Sequence, residues 1–272
     1  MKNDYRIIFL NSLVFFLLAY FLVFLIQQFA VALTASLFDY TVLIFHDHYG
    51  FILDRTSWTH DSVKLIFSST PVISLIVGAL FLIVYVKVRV ATGMLRQLFY
   101  WGYVYAFCYF FGSVFVGGFT NQGFGHVLHW SYVMDTGRML HAIVSLTGLG
   151  LIGALNTRST LLLANSYYNN LTDRNRLKFV MFQTILPFFA GMLILALYSL
   201  PYESDREVYH LIVTSCMLIP IVITFIRSGD YQELLFDEDE KIIKPAYVYL
   251  FVLLAIMMAL HLLFSGGWLV NR

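Results

Sequence analysis

The chain is predicted to be an all-α polytopic membrane protein of about seven transmembrane helices, with the N-terminus cytoplasmic and the C-terminus outside. Three observations carry this reading. Of its 272 residues, 60% are hydrophobic and 12% charged, against about a quarter charged in an average soluble domain. The apolar residues run on continuously in seven stretches, near 7–32, 65–86, 97–118, 139–156, 179–200, 208–226 and 246–270. A bilayer core about 30 Å thick takes roughly 20 such residues to cross as a helix, and a helix satisfies its own backbone in lipid. The third observation is the uneven distribution of positive charge between alternate loops. One side carries Lys2, Arg6, Lys87, Arg89, Arg96, Arg158, Arg174, Arg176, Lys178, Arg227, Lys241 and Lys244, and the other only Arg55, Lys64, Arg138, Arg206 and Arg272. Positive charge stays cytoplasmic, which fixes the orientation. One membrane domain accounts for the whole of 1–272.

The first apolar run follows Lys2 and Arg6 and is longer than the core of a signal peptide, so it reads as a retained anchor despite the small residues Ala30, Ala32 and Ala35. After it, the aromatic-rich stretch 37–61 holds two short alternating runs near residues 40–53 around His46-Asp47-His48, a β-hairpin expected at the membrane surface. Pro71, Pro187 and Pro220 kink or start their helices. Gly148, Gly150, Gly153 and Ala154 suit close helix packing in the fourth span. The loop 119–138, rich in Gly, His and Trp, is expected to dip into the interface, and the acidic run 236–241 is a solvated linker.

Several functions lose ground at once. Cys108 and Cys216 both fall in apolar spans and support neither a disulfide framework nor a zinc–cysteine site. A net charge of +1 leaves no nucleic-acid footprint. No span contains Asp, Glu, Lys or Arg, the residues that mark ion paths and proton relays in membranes. Gln27, Gln28, Asn156 and Gln183 are accounted for by interhelical hydrogen bonds.

The eight histidines, His46, His48, His60, His126, His129, His141, His210 and His261, all fall on the outer side of this topology. Neutral imidazole is a common metal ligand, so His46, His48, His126, His129 and Asp135 form a candidate metal set from two loops. The competing explanation is that His, Trp and Tyr anchor membrane interfaces.

The residues 25–35, Leu-Ile-Gln-Gln-Phe-Ala-Val-Ala-Leu-Thr-Ala, precede the hairpin; Ser68-Ser69-Thr70-Pro71 opens the second span, and Met134-Asp135-Thr136-Gly137-Arg138 the fourth. This order resembles the site-2-type intramembrane metalloproteases over roughly residues 7–160. In that family a His-Glu-x-x-His helix, a membrane-surface hairpin, a Gly-Pro span and an Asp-Gly motif follow one another. The resemblance implies that Gln27, Gln28 and Val31 stand where the family has its two histidines and its glutamate, with Asp135 as the remaining ligand position. A catalytic zinc needs three protein ligands and an open position; two amides and a valine supply neither the ligands nor the base. Asp135 is then expected to cap the following helix.

The expected function is a non-proteolytic accessory or assembly subunit of an inner membrane, bacterial by default. Its partners are membrane lipids and other membrane proteins, and no nucleic acid. The alternatives are an outer-face, histidine-based metal- or haem-dependent enzyme, and a small transporter or lipid-handling protein with the Gly-rich loop 117–125 lining its cavity.

Overall fold

The computed structural model describes residues 2–87, 93–200, 205–236 and 244–270. Most of the acidic run, with Arg89, Lys241 and Arg272 of the charge pattern, lies outside them. Among the described residues, seven helical segments are long and apolar enough to cross a membrane.

The first is α1 (Lys2–Ser36), followed by strands β1 (Thr41–Ile44) and β2 (Tyr49–Ile52) and then α2 (His60–Lys87). Next come α3 (Gly93–Phe119), the short α4 (Phe124–Trp130) and α5 (Asp135–Leu162). Strand β3 (Asn170–Leu171) leads into the fifth span, α6 (Asp173–Val180), a π turn at Met181–Ile185 and α7 (Leu186–Tyr198). The sixth span is broken into α8 (Asp205–Ser215) and α9 (Leu218–Ser228). Strand β4 (Leu234–Leu235), α10 (Tyr247–Phe264) and β5 (Trp268–Val270) complete the order.

Two of the prolines explain irregular helices. Pro187 has no N–H to give the carbonyl of Gln183, four residues earlier, and this freed, buried acceptor falls in the π turn. The Ser12 hydroxyl of α1 donates to it at 2.5 Å, and Trp101 Nε1 donates in turn to Ser12 at 2.9 Å. Pro220 sits in the first turn of α9, where Gly153 of α5 packs directly against its backbone.

The direction of the last span follows from its contacts at both ends. Asn11, early in α1, donates to the Lys244 carbonyl at 3.0 Å and accepts from the Ala246 N–H at 2.7 Å, just before α10 begins. At the other end β5 pairs antiparallel with β1, Val42 opposite Val270 and Ile44 opposite Trp268. Helices α1 and α10 therefore run the same way. The expected last span is shorter than the sequence suggested: the helix stops at Phe264, Gly267 takes φ +75°, and 268–270 form a strand. Gly266 and Gly267 end the helix, because glycine readily leaves the helical region.

Lengths decide where the hairpin goes. Helix α1 has 35 residues, about 52 Å, and α10 has 18, about 27 Å. Starting level with Asn11, α10 ends well short of Ser36. Helix α7 stops at Tyr198, whose ring meets Phe21 of α1. The last two turns of α1 would be left bare on this side. The sheet β2-β1-β5 covers them, burying Val42, Ile44 and Tyr49 against Val31, Ala32 and Ala35.

Gly153 tests the packing. A Cβ there would lie 2.7 Å from the Pro220 backbone, whereas one at Gly150 meets nothing nearer than 3.8 Å. Gly153→Val is expected to lower stability by about 1–3 kcal/mol through overpacking, and Gly150→Ala to change it little, as read from thermal unfolding in mild detergent.

Candidate functional site

The hairpin does not lie flat across the end of the bundle. Its turn points into the bundle and carries His46-Asp47-His48 down beside α1. Residue alternation places Val42 and Ile44 on the α1 side, and the four-residue strands bring the turn to the ends of the short helices α7 and α10. There the His46 ring meets Tyr198 at 5.3 Å and His261 of α10 at 4.8 Å, both edge-on. Asp47 is buried, and its charge reaches the phenols of Tyr20 and Tyr198. The turn thus brings a carboxylate into a bundle whose described spans hold few charged residues in their interior.

An ionised group so placed is costly unless paired. Asp47 Oδ1 lies 2.8 Å from His48 Nδ1 and 3.6 Å from His46 Nδ1. His48 also stacks on Phe45, centroids 4.4 Å apart. Burial pushes the His46 pKa down, opposed mainly by the Asp47 charge and aided by His261 and His48. His46 is therefore biased towards its neutral form, and the nearest imidazole to the Asp47 carboxylate is that of His48.

A second polar group lines the same interior. Tyr20, Phe24 and Gln28 recur every fourth residue along one face of α1. Phe24 packs edge-on against His210 at 5.7 Å, and Tyr109 hydrogen-bonds with His210 Nδ1 at 3.2 Å. Gln28 is fully buried, with neither side-chain polar atom hydrogen-bonded.

The candidate metal set is divided by the structure. His46 and His48 share the turn and are joined by His261, which sequence spacing gave no means of finding. His126 packs on Phe67 of α2 at 4.6 Å, and His129 lies 3.3 Å from Arg138 Nη2. Asp135 is exposed on the rim of a cleft walled by α3 and α5. It is also not a helix cap: α5 begins at Asp135 itself, after Met134, so its carboxylate sits in the first turn. Among the described residues no group of three or more His, Cys, Asp or Glu is placed to hold a metal ion.

The stretches that carry the protease resemblance meet only in part. Gln27 Nε2 donates to Ser74 Oγ of α2 at 2.6 Å, and Ser74 donates on to the Thr70 carbonyl. Val31, one turn on, is fully buried in the apolar cluster beneath the hairpin. Asp135, in contrast, is on the α3–α5 cleft. The first two positions are thus used for packing and for one interhelical hydrogen bond. No protein-family model, curated protein or solved structure matches the chain.

The depressed His46 pKa has a signed consequence. Below the ordinary value of 6.5 the unfolded chain takes up this proton before the folded one, so stability falls as pH drops from 6.5 towards the lowered value and is flat beneath it. His46→Gln is expected to reduce the slope of thermal midpoint against pH in that window; an unchanged slope would place His46 in a solvated setting.

Proposed function

We propose that the chain is a non-proteolytic accessory or assembly subunit of a cell membrane, with a metalloprotease-like core limited to α1, the hairpin and α2. The observation that carries this reading is the Gln27–Ser74 hydrogen bond beside the buried Val31. Where the resembled family activates water, this chain builds a helix contact, and a glutamine amide offers no base at working pH. The outward flank of α10 adds support: Val248, Phe251, Leu262 and Leu263 are all more than two-thirds exposed, a surface for lipid or for a partner's helix.

The proposed orientation, N-terminus cytoplasmic and hairpin outside, draws on the loop charges and on the parallel course of α1 and α10. A bacterial inner membrane is the setting proposed for it.

A second reading has a specific observation in its favour. His46, Asp47, His48 and His261 gather in one interior site, which favours an outer-face histidine-based metal- or haem-dependent enzyme, although no three of them are placed to hold a metal ion together. Metal analysis and an absorption spectrum of the purified protein separate the two. Stoichiometric metal or a haem band favours the enzyme.

The accessory reading predicts that the full chain, extracted from its native membrane in mild detergent, migrates in native mass analysis as a defined complex with at least one other membrane protein. A lone monomer, reproducibly free of partners, contradicts it.

A further inference from the structure

The cleft between α3 and α5 is a second built feature, separate from the hairpin site. It opens at the hairpin end of the bundle, encloses about 410 Å³, and is walled by Phe115, Phe119, Ile143 and Leu146, with Asp135 and Arg138 at its mouth. At its floor the two helices pack closely: a Cβ on Gly118 would lie 3.1 Å from the Ala142 Cβ and 3.1 Å from the Arg138 carbonyl.

The chemistry changes in a fixed order along α5. Asp135 is outermost, Arg138 follows one turn deeper, and Ile143 and Leu146 lie about 7 and 12 Å beyond Arg138 along the helix. Asp135 and Arg138, three residues apart, do not pair with each other. The guanidinium is held from the side, Nη1 donating to Asn121 Oδ1 at 3.1 Å and Nη2 lying 3.3 Å from His129 Nδ1, while its Nε is buried without a partner. The Asp135 carboxylate is left exposed at the rim. Each Nη carries a second N–H beyond these contacts, and a guanidinium clamped in this way is suited to an oxyanion; the N-terminus of α5 adds favourable potential.

We propose that this cleft is a binding site for a phospholipid with a primary ammonium headgroup, of the phosphatidylethanolamine type. From the membrane surface inward, such a lipid presents ammonium, phosphate and acyl chain. The cleft presents carboxylate, guanidinium and apolar wall in the same order, at a depth where a bilayer supplies the ligand. An anionic lipid without the ammonium would satisfy Arg138 but would set its headgroup against Asp135. The proposal is independent of the accessory reading and uses neither the hairpin turn nor Gln27.

The test is native mass analysis of the full-length protein in mild detergent, titrated separately with phosphatidylethanolamine and phosphatidylglycerol of the same acyl chains. Wild type is expected to retain the first in preference to the second by about tenfold, the scale of one charge-assisted hydrogen bond. Arg138→Gln is expected to lose both lipids, and Asp135→Asn to lose the preference while keeping phosphate binding. Ile143→Trp fills the apolar part from an already exposed position; it should expel lipid without disturbing the fold, and so reads out the site even if the Arg138 variant does not fold. Equal retention of the two lipids by wild type overturns the proposal. So does retention that survives Ile143→Trp, or equal competition by soluble glycerophosphoethanolamine.

Discussion

The length difference between α1 and its neighbours α7 and α10 is the constraint on which the rest of the structure depends. Two short helices cannot cover a long one, and the last turns of α1 carry Val31, Ala32 and Ala35 on the uncovered face. A β-sheet of two strands would leave an open edge beside that face. The third strand, β5, comes from the end of α10 and pairs with β1. One sheet therefore covers the surplus of α1 and fastens the last span to the first.

The same arrangement brings charge into the bundle. Because the hairpin stands rather than lies, its turn must go inward, and the turn residues are His46, Asp47 and His48. Asp47 is tolerated there because His48 meets it directly, and because Tyr198 of α7 and His261 of α10 close the site around His46. Desolvation lowers the His46 pKa, and the Asp47 carboxylate lies closer to His48, at 2.8 Å, than to His46, at 3.6 Å. At the opposite end, Asn11, Ser12, Gln97 and Gln183 are buried and bonded through Tyr167, Trp101 and the π turn, which locks α1, α3 and α6–α7 together. The two ends differ in kind: one is a hydrogen-bond network of uncharged side chains, the other holds titratable groups and a buried, unpartnered Gln28.

Much of the architecture was legible because continuous apolar runs report helices in lipid directly. The strands were legible too, from the alternation in 41–44 and the turn residues after it. The direction of the hairpin was not: alternation shows which residues share a face but does not say whether the turn points out or in. Asp47 was therefore not legible as an intramembrane charge, because it lies outside the apolar runs. His261 was not legible as its partner because the contact depends on where α10 stops, and the apolar run continues through Gly266-Gly267 to 270, hiding the change from helix to strand. The set His46, His48, His126, His129 and Asp135 was assembled by loop; the packing of α4 against α2 separates its members. Gln27 was legible as a polar span residue, while its partner Ser74 could be assigned only once α1 and α2 were seen to pack.

The inward course of the hairpin turn is read most directly by site-specific thiol labelling. With Cys108 and Cys216 replaced by alanine, single cysteines at Asp47 and at the exposed Leu37 are compared in permeabilised membranes with a charged, water-soluble maleimide. Cysteine at position 37 should react in the folded protein, and cysteine at 47 only after denaturation. Prompt and equal labelling at both positions would mean that the turn faces water, and that no carboxylate enters the bundle by this route.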